Sequence, residues 1–119
     1  MGETRVKVKV TGSKGGEDVD MLADTGASHT MVSQEIAERL GIKATGHALA
    51  EFADGSERTI DFGKAEVQIG EESYSVRVLI GRSDEPLLGL STLEMFGLKV
   101  NPVAHRLEPA RTILYALAG

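Results

Sequence analysis

From Arg5 to Val10 the chain alternates basic residues with valine, the period of a strand that buries one face and wets the other. The turn signals Thr11-Gly12-Ser13-Lys14-Gly15-Gly16 lead into a second run of strand character, Asp18 to Ala23, so the two read as a hairpin. The charges on the first strand are of the kind that blunts an exposed sheet edge. After Asp24 the period changes: Ser33 to Leu40 places apolar residues at helical spacing, with Ser33 suited to the N-cap and Gly41 to the C-cap. Strands return at His47 to Phe52 and Glu57 to Phe62, flanking Ala53-Asp54-Gly55-Ser56, where Asp-Gly is a hairpin turn signal. Further strands are expected at Lys64 to Ile69 and Ser73 to Ile80, joined by Gly70-Glu71-Glu72. The apolar segment Pro86 to Leu90 precedes a short second helix, Ser91 to Phe96, closed by Gly97. Leu98 to Val100, Arg106 to Glu108 and Arg111 to Leu117 complete the strands. Many short strands with one or two brief helices imply a mainly β fold, closed or barrel-like, with one domain over residues 1–119.

Composition narrows the chemistry. With 119 residues and 41% hydrophobic content, the chain supports one modest core, so any site is built within one small domain or shared with a partner. A net charge of -5 with scattered Lys and Arg offers no basic patch to follow a phosphate backbone, and nucleic acid is not an expected partner. The absence of cysteine removes disulfides, thiolate metal sites and cysteine nucleophiles. No signal-peptide pattern or membrane-length apolar run is seen, and a cytoplasmic location is the expectation.

The stretch Val19 to Ser28 is the most informative. An extended apolar approach delivers one carboxylate, Asp24, onto a tight turn of small residues, Thr25-Gly26-Ala27, where an acid is positioned and poorly hydrated. Gly26 lets the backbone come close to a second chain or a substrate because no Cβ intervenes, and the Thr25 hydroxyl is available to hold the turn.

Asp24-Thr25-Gly26-Ala27 resembles the active-site signature of the retropepsin-like aspartic peptidases. The likeness continues through Val78-Leu79-Ile80-Gly81, Leu87-Leu88-Gly89 and Gly97-Leu98-Lys99-Val100-Asn101-Pro102, in that family's order and approximate spacing, so it spans roughly Arg5 to Pro102. The helix after the catalytic turn is similar to that of the bacterial and archaeal single-domain members. The resemblance implies a closed acid-protease barrel and an aspartic endopeptidase active as a homodimer, each subunit contributing its Asp24. It also implies that a hairpin near residues 52–56 is the flap over an extended peptide substrate, and that Leu87-Leu88-Gly89 forms the segment threaded by the catalytic turn. Ser28, Phe52, Ala53, Asp54, Gly55, Leu79, Leu87, Leu88 and Gly89 are the implied substrate-binding residues, with an apolar lining. No metal or other cofactor is implied. Ser28 and Leu90 depart from the family's retroviral members, which carry there an Asp and an Arg of a charged dimer network, and the flap tip lacks their glycine-rich run. Met1 to Val10 and Arg111 to Gly119 are available to a dimer sheet, while Thr112-Ile113-Leu114-Tyr115 could equally pack on its own subunit.

Rival readings are blander or less supported. The alternative to the enzyme is a catalytically inactive module of the same fold that binds peptide or dimerises. The Asp18, Asp20 and Asp24 spacing fits a metal or phosphotransfer site, but the chain is short for the usual scaffold and lacks further ligands, so Asp18 and Asp20 read as solvated hairpin carboxylates. Asp61-Phe62-Gly63 and Gly12 to Gly16 mimic nucleotide-site motifs without their context and read as strand ends and turns. His29, His47 and His105 form no ligand pattern, and His29 is the one nearest the cleft.

Overall fold

Alternation at the start of the chain becomes a hairpin whose inner face seeds the core. In the computed structural model, which describes residues 3–81 and 85–110, strands β1 (Arg5–Gly12) and β2 (Gly15–Asp24) pair antiparallel. Val8, Val10, Val19 and Met21 are buried between them and the rest of the barrel, while Lys7 and Lys9 face water. The remaining strands are β3 (Thr30–Ser33), β4 (Gly46–Glu51), β5 (Glu57–Ile69), β6 (Glu72–Gly81) and β7 (Leu87–Gly89), with a separate pair β8 (Leu98–Asn101) and β9 (Arg106–Pro109).

The large sheet runs β1-β2-β7-β3-β6-β5-β4, and β5 also pairs with β1. Six strands therefore close into a barrel and β4 hangs from β5 as the free edge. The expectation that β1 is an edge does not hold: Lys9 to Thr11 pair with Gln68 to Glu66, so its charges line a solvated face instead. The expected break at Gly63 is also absent. Glu57–Ile69 is one continuous strand, because Gly63 lets the Lys43 carbonyl approach; a Cβ there would lie 2.4 Å from that oxygen. Two short strands, β3 and β7, stand where no strand was expected, and both pair in parallel with distant segments, β3 with β6 and β7 with β2. The strand expected at Arg111 to Leu117 and the alternative packings of the termini lie outside the described residues.

Helix α1 (Gln34–Leu40) forms as its caps dictate. Ser33 Oγ accepts from the Ile36 N–H at 3.1 Å, and Gly41 closes the helix in the left-handed conformation at φ 74°. Its Ala37 and Leu40 enter the core. Helix α2 (Leu90–Met95) turns Leu93 into the same core, and Phe96 at its end packs edge-on against Tyr74, ring centroids 4.8 Å apart. No helix among the described residues is long and apolar enough to cross a membrane.

Leu93 is fully buried within this single cluster. Leu93→Ala is expected to lower unfolding free energy by roughly 2–5 kcal/mol, read from denaturant midpoints with an unchanged m-value.

Candidate active site

Strand β2 ends in a carboxylate because its last residues are held from two sides. Leu22 N–H donates to the Pro86 carbonyl at 2.9 Å and Ala23 N–H to the Thr4 carbonyl at 2.8 Å. Beyond them Asp24 is half-buried, and the turn opens to solvent with Thr25 and Gly26 exposed. The turn is closed by its own backbone: Gly26 N–H donates to Asp24 Oδ1 at 2.9 Å and Ala27 N–H to the Asp24 carbonyl at 3.1 Å. An amide donated to the carboxylate fixes its orientation.

Beneath the turn runs β7, in parallel register with β2: Leu22 opposite Leu87, Ala23 opposite Leu88, Asp24 opposite Gly89. The start of α2 is tied to the far side of the turn, Leu90 N–H donating to the Ala27 carbonyl at 2.8 Å and Ser91 N–H to the Ser28 carbonyl at 3.1 Å. Gly89 is required by space. A Cβ there would fall 2.3 Å from the carbonyl carbon of His29, closer than any side chain tolerates. The Gly89 N–H donates to Thr30 Oγ1 at 3.0 Å, and that hydroxyl meets Thr92 Oγ1 at 2.6 Å.

Hairpin β4–β5 projects from the barrel at the free edge, β5 pairing with β6 and β1 and β4, among the described residues, with β5 alone. Its turn is built by Phe52 N–H to the Ser56 carbonyl at 2.8 Å and Gly55 N–H to the Phe52 carbonyl at 2.9 Å, with Gly55 at φ 84°. Asp54 Oδ1 accepts from both the Ser56 hydroxyl, at 2.6 Å, and the Ser56 N–H, at 2.9 Å. These bonds, the hydroxyl's first, hold the Asp54 carboxyl below its ordinary pKa. The Arg58 guanidinium lies 4.0 Å from the Phe52 ring centroid, stiffening the base of the turn. The pairing of β5 with β6 begins only at Asp61, which leaves Glu57 to Ile60 unpaired on that side. A cavity of about 580 Å³ opens there, lined by Met31, Phe52, Arg58, Ile60 and Ile80 among others.

The structure thus separates the residues expected around a site into groups. Asp24, Thr25, Gly26, Ala27 and Ser28 share the exposed turn, with Gly89 directly against it and Leu87 half-buried alongside. Phe52, Ala53, Asp54 and Gly55 form the hairpin tip, and Phe52 alone of the expected residues lines the cavity. Leu79 and Leu88 are 8% and 0% exposed, so both support the site from the interior. Met31, Ile60 and Ile80 were not anticipated as lining residues. Ile60 and Ile80 fall within strands expected from the sequence, but nothing along the chain revealed that they meet Met31. Of the histidines, His29 is exposed beside the turn and His47 Nδ1 bonds Asp61 Oδ1 at 2.6 Å on the hairpin.

Residues 10–95 match the family described as "gag-polyprotein putative aspartyl protease". The chain is also 33% identical over 102 residues to DNA damage-inducible protein 1 of Yarrowia lipolytica, an alignment covering 78% of this chain and 25% of that protein. The chain therefore spans about a quarter of the length of the curated relative it matches.

Two outcomes are expected from this geometry. Gly89→Ala should destabilise the fold by roughly 1–3 kcal/mol in chemical denaturation, since the new methyl meets rigid backbone. The Asp54 turn should respond to acid with a definite sign, because its folded pKa is depressed. Its stabilisation is full above the unfolded-chain value near 3.9 and is lost as pH falls through the lowered folded value. An NMR titration of the Ser56 amide should place the midpoint below the ordinary carboxylate range; a midpoint at or above it would contradict the assignment.

Proposed function

The chain belongs to the retropepsin-like aspartyl protease family, and from that membership we propose that it is an aspartic endopeptidase assembled as a homodimer. The observation that carries the proposal is the exposed turn presenting a single carboxylate, Asp24, buttressed by Leu87-Leu88-Gly89. Peptide hydrolysis by water needs a base and an acid at once. One carboxylate per chain supplies only half of that pair, and a two-fold axis supplies the other.

In the assembled pair, like charges held about 3 Å apart cannot both ionise cheaply, so the two Asp24 carboxyls share one proton and titrate as a unit. The ionised member takes a proton from a water lying between them as the water oxygen attacks the scissile carbonyl carbon. The protonated member gives its proton to the carbonyl oxygen, forming a tetrahedral diol. The carboxyl that took the water proton then gives it to the amide nitrogen while the other carboxylate takes a proton from one diol hydroxyl, so the C–N bond breaks, the acid and amine products form, and the pair again holds one proton. The scheme needs neither a covalent intermediate nor a metal.

The substrate in this reading is an extended peptide lying between the turn and the β4–β5 hairpin, which acts as the flap, and held by main-chain hydrogen bonds as an added strand. Ala27, Ser28, Leu87 and Phe52 to Gly55 touch it, with Leu79, Leu88 and Gly89 backing them. The apolar walls Met31, Ile60 and Ile80 favour hydrophobic side chains near the scissile bond.

Purified protein should cleave peptides at acidic pH, with a bell-shaped kcat profile and inhibition by statine-type compounds. Asp24→Asn should lower kcat by at least about 10²-fold with little change in stability. Specific activity should fall on dilution in step with dimer dissociation, followed by sedimentation. Peptide binding without turnover at any pH would favour the non-catalytic module, and full activity in a strict monomer would sink the shared-site mechanism.

A further inference from the structure

Two buried hydroxyls lie behind the catalytic turn, away from any expected substrate contact. Thr30 on β3 and Thr92 on α2 are 0% and 1% exposed, and their Oγ1 atoms stand 2.6 Å apart. Threonine in such a place carries a desolvation cost that valine would not, so the hydroxyls rather than the side-chain volume call for explanation. Both are satisfied: they bond each other, and Thr30 Oγ1 also accepts the Gly89 N–H. Gly89 is the register partner of Asp24 across the β2–β7 ladder. A continuous path of hydrogen bonds and close contact therefore runs from α2, through Thr92 and Thr30, to the backbone beside the carboxylate.

We infer that Thr30 and Thr92 are positioning residues for Asp24: their bonded pair fixes the depth of Gly89 and so the separation of the two carboxyls in the dimer. The inference rests on the shared-proton reading above. The coupling of the two carboxyls depends on their distance, so closer carboxyls have macroscopic pKa values further apart. Removing the Thr92 hydroxyl leaves Thr30 with one buried partner fewer and lets Gly89 shift. A neutral bond is suited to this task, because it sets position without placing a charge beside a proton that must be free to sit on either carboxyl.

The test compares wild type with Thr92→Val, Thr92→Ser and Thr92→Cys in the full chain, measuring kcat and KM against pH, melting temperature, and the Asp24 carboxyl titration by ¹³C NMR. Thr92→Val is expected to lower kcat roughly tenfold with KM within about twofold, as a small misplacement of a reacting group does. The acid and base limbs of the kcat profile should move towards each other and the two-step carboxyl titration should narrow. Thr92→Ser should restore both, and Thr92→Cys, close in volume but a weaker hydrogen-bonding group, should fall between and serves if the valine variant does not fold. A lower melting temperature with unmoved limbs and an unchanged titration in the variants would overturn the inference while leaving the peptidase reading intact. A wild-type Asp24 that titrates as one isolated carboxyl and supports no cleavage would instead overturn the peptidase reading.

Discussion

The close passage of Gly89 beneath the Asp24 turn is the contact on which the rest of this structure depends. Parallel pairing of β2 with β7 brings Asp24 level with Gly89, and the lack of a Cβ lets His29 and Thr30 pass over it at backbone contact distance. Because β7 also meets β3 at Met31 opposite Leu87, the same three residues join the first half of the barrel to the second. Closing the barrel and seating the carboxylate are therefore one event. Leu88, fully buried between them, couples that seat to the core.

The polar interactions divide by location. Ion pairs lie at the surface: Arg39 binds both oxygens of Glu17, at 2.6 and 2.9 Å, and Arg5 reaches Glu85 at 2.6 Å and Asp20 at 3.3 Å. The Arg39 guanidinium holds Glu17 below its usual pKa, and both guanidiniums are themselves raised by their carboxylate partners, but exposed pairs of this kind add little stability in salt. Around the turn, neutral amides and hydroxyls take over. A network of neutral groups is insensitive to ionic strength and keeps its geometry as the pH changes.

Much of this fold could be read along the chain. The valine alternation of β1, the Asp-Gly turn at residues 54–55 and the Ser33 and Gly41 caps are local signals, and each produced the element expected. What escaped notice was non-local. Thr30–Ser33 and Leu87–Gly89 are too short to show a period, and parallel partners far along the chain stabilise them. Gly63 reads as a break because glycine weakens a strand, whereas here it admits a neighbouring carbonyl. The carboxylate was legible since Asp24-Thr25-Gly26 is contiguous. The lining was not, because an apolar residue near a site carries the same sequence signal whether it faces an open cavity, as Met31 and Ile80 do, or core, as Leu88 does. Thr30 and Thr92, 62 residues apart, gave no hint of meeting.

In the dimer proposed above, a site completed by symmetry makes a particular demand on the subunit. Any displacement of Asp24 from its seat enters the paired arrangement twice, once from each copy, so the tolerance on each half is tighter than in an enzyme that holds both groups on one chain. Such a subunit should be stiff behind the carboxylate and free to adjust in front of it. The described contacts follow that division. Behind Asp24 stand fully buried side chains and backbone in contact; in front, the hairpin tip is solvent-exposed and shaped by local bonds among Phe52, Asp54, Gly55 and Ser56. A hairpin held by its own turn can move as a unit without disturbing the barrel, as the proposed flap role requires, since the side of β5 from Glu57 to Ile60 that faces the cavity has no strand partner to break.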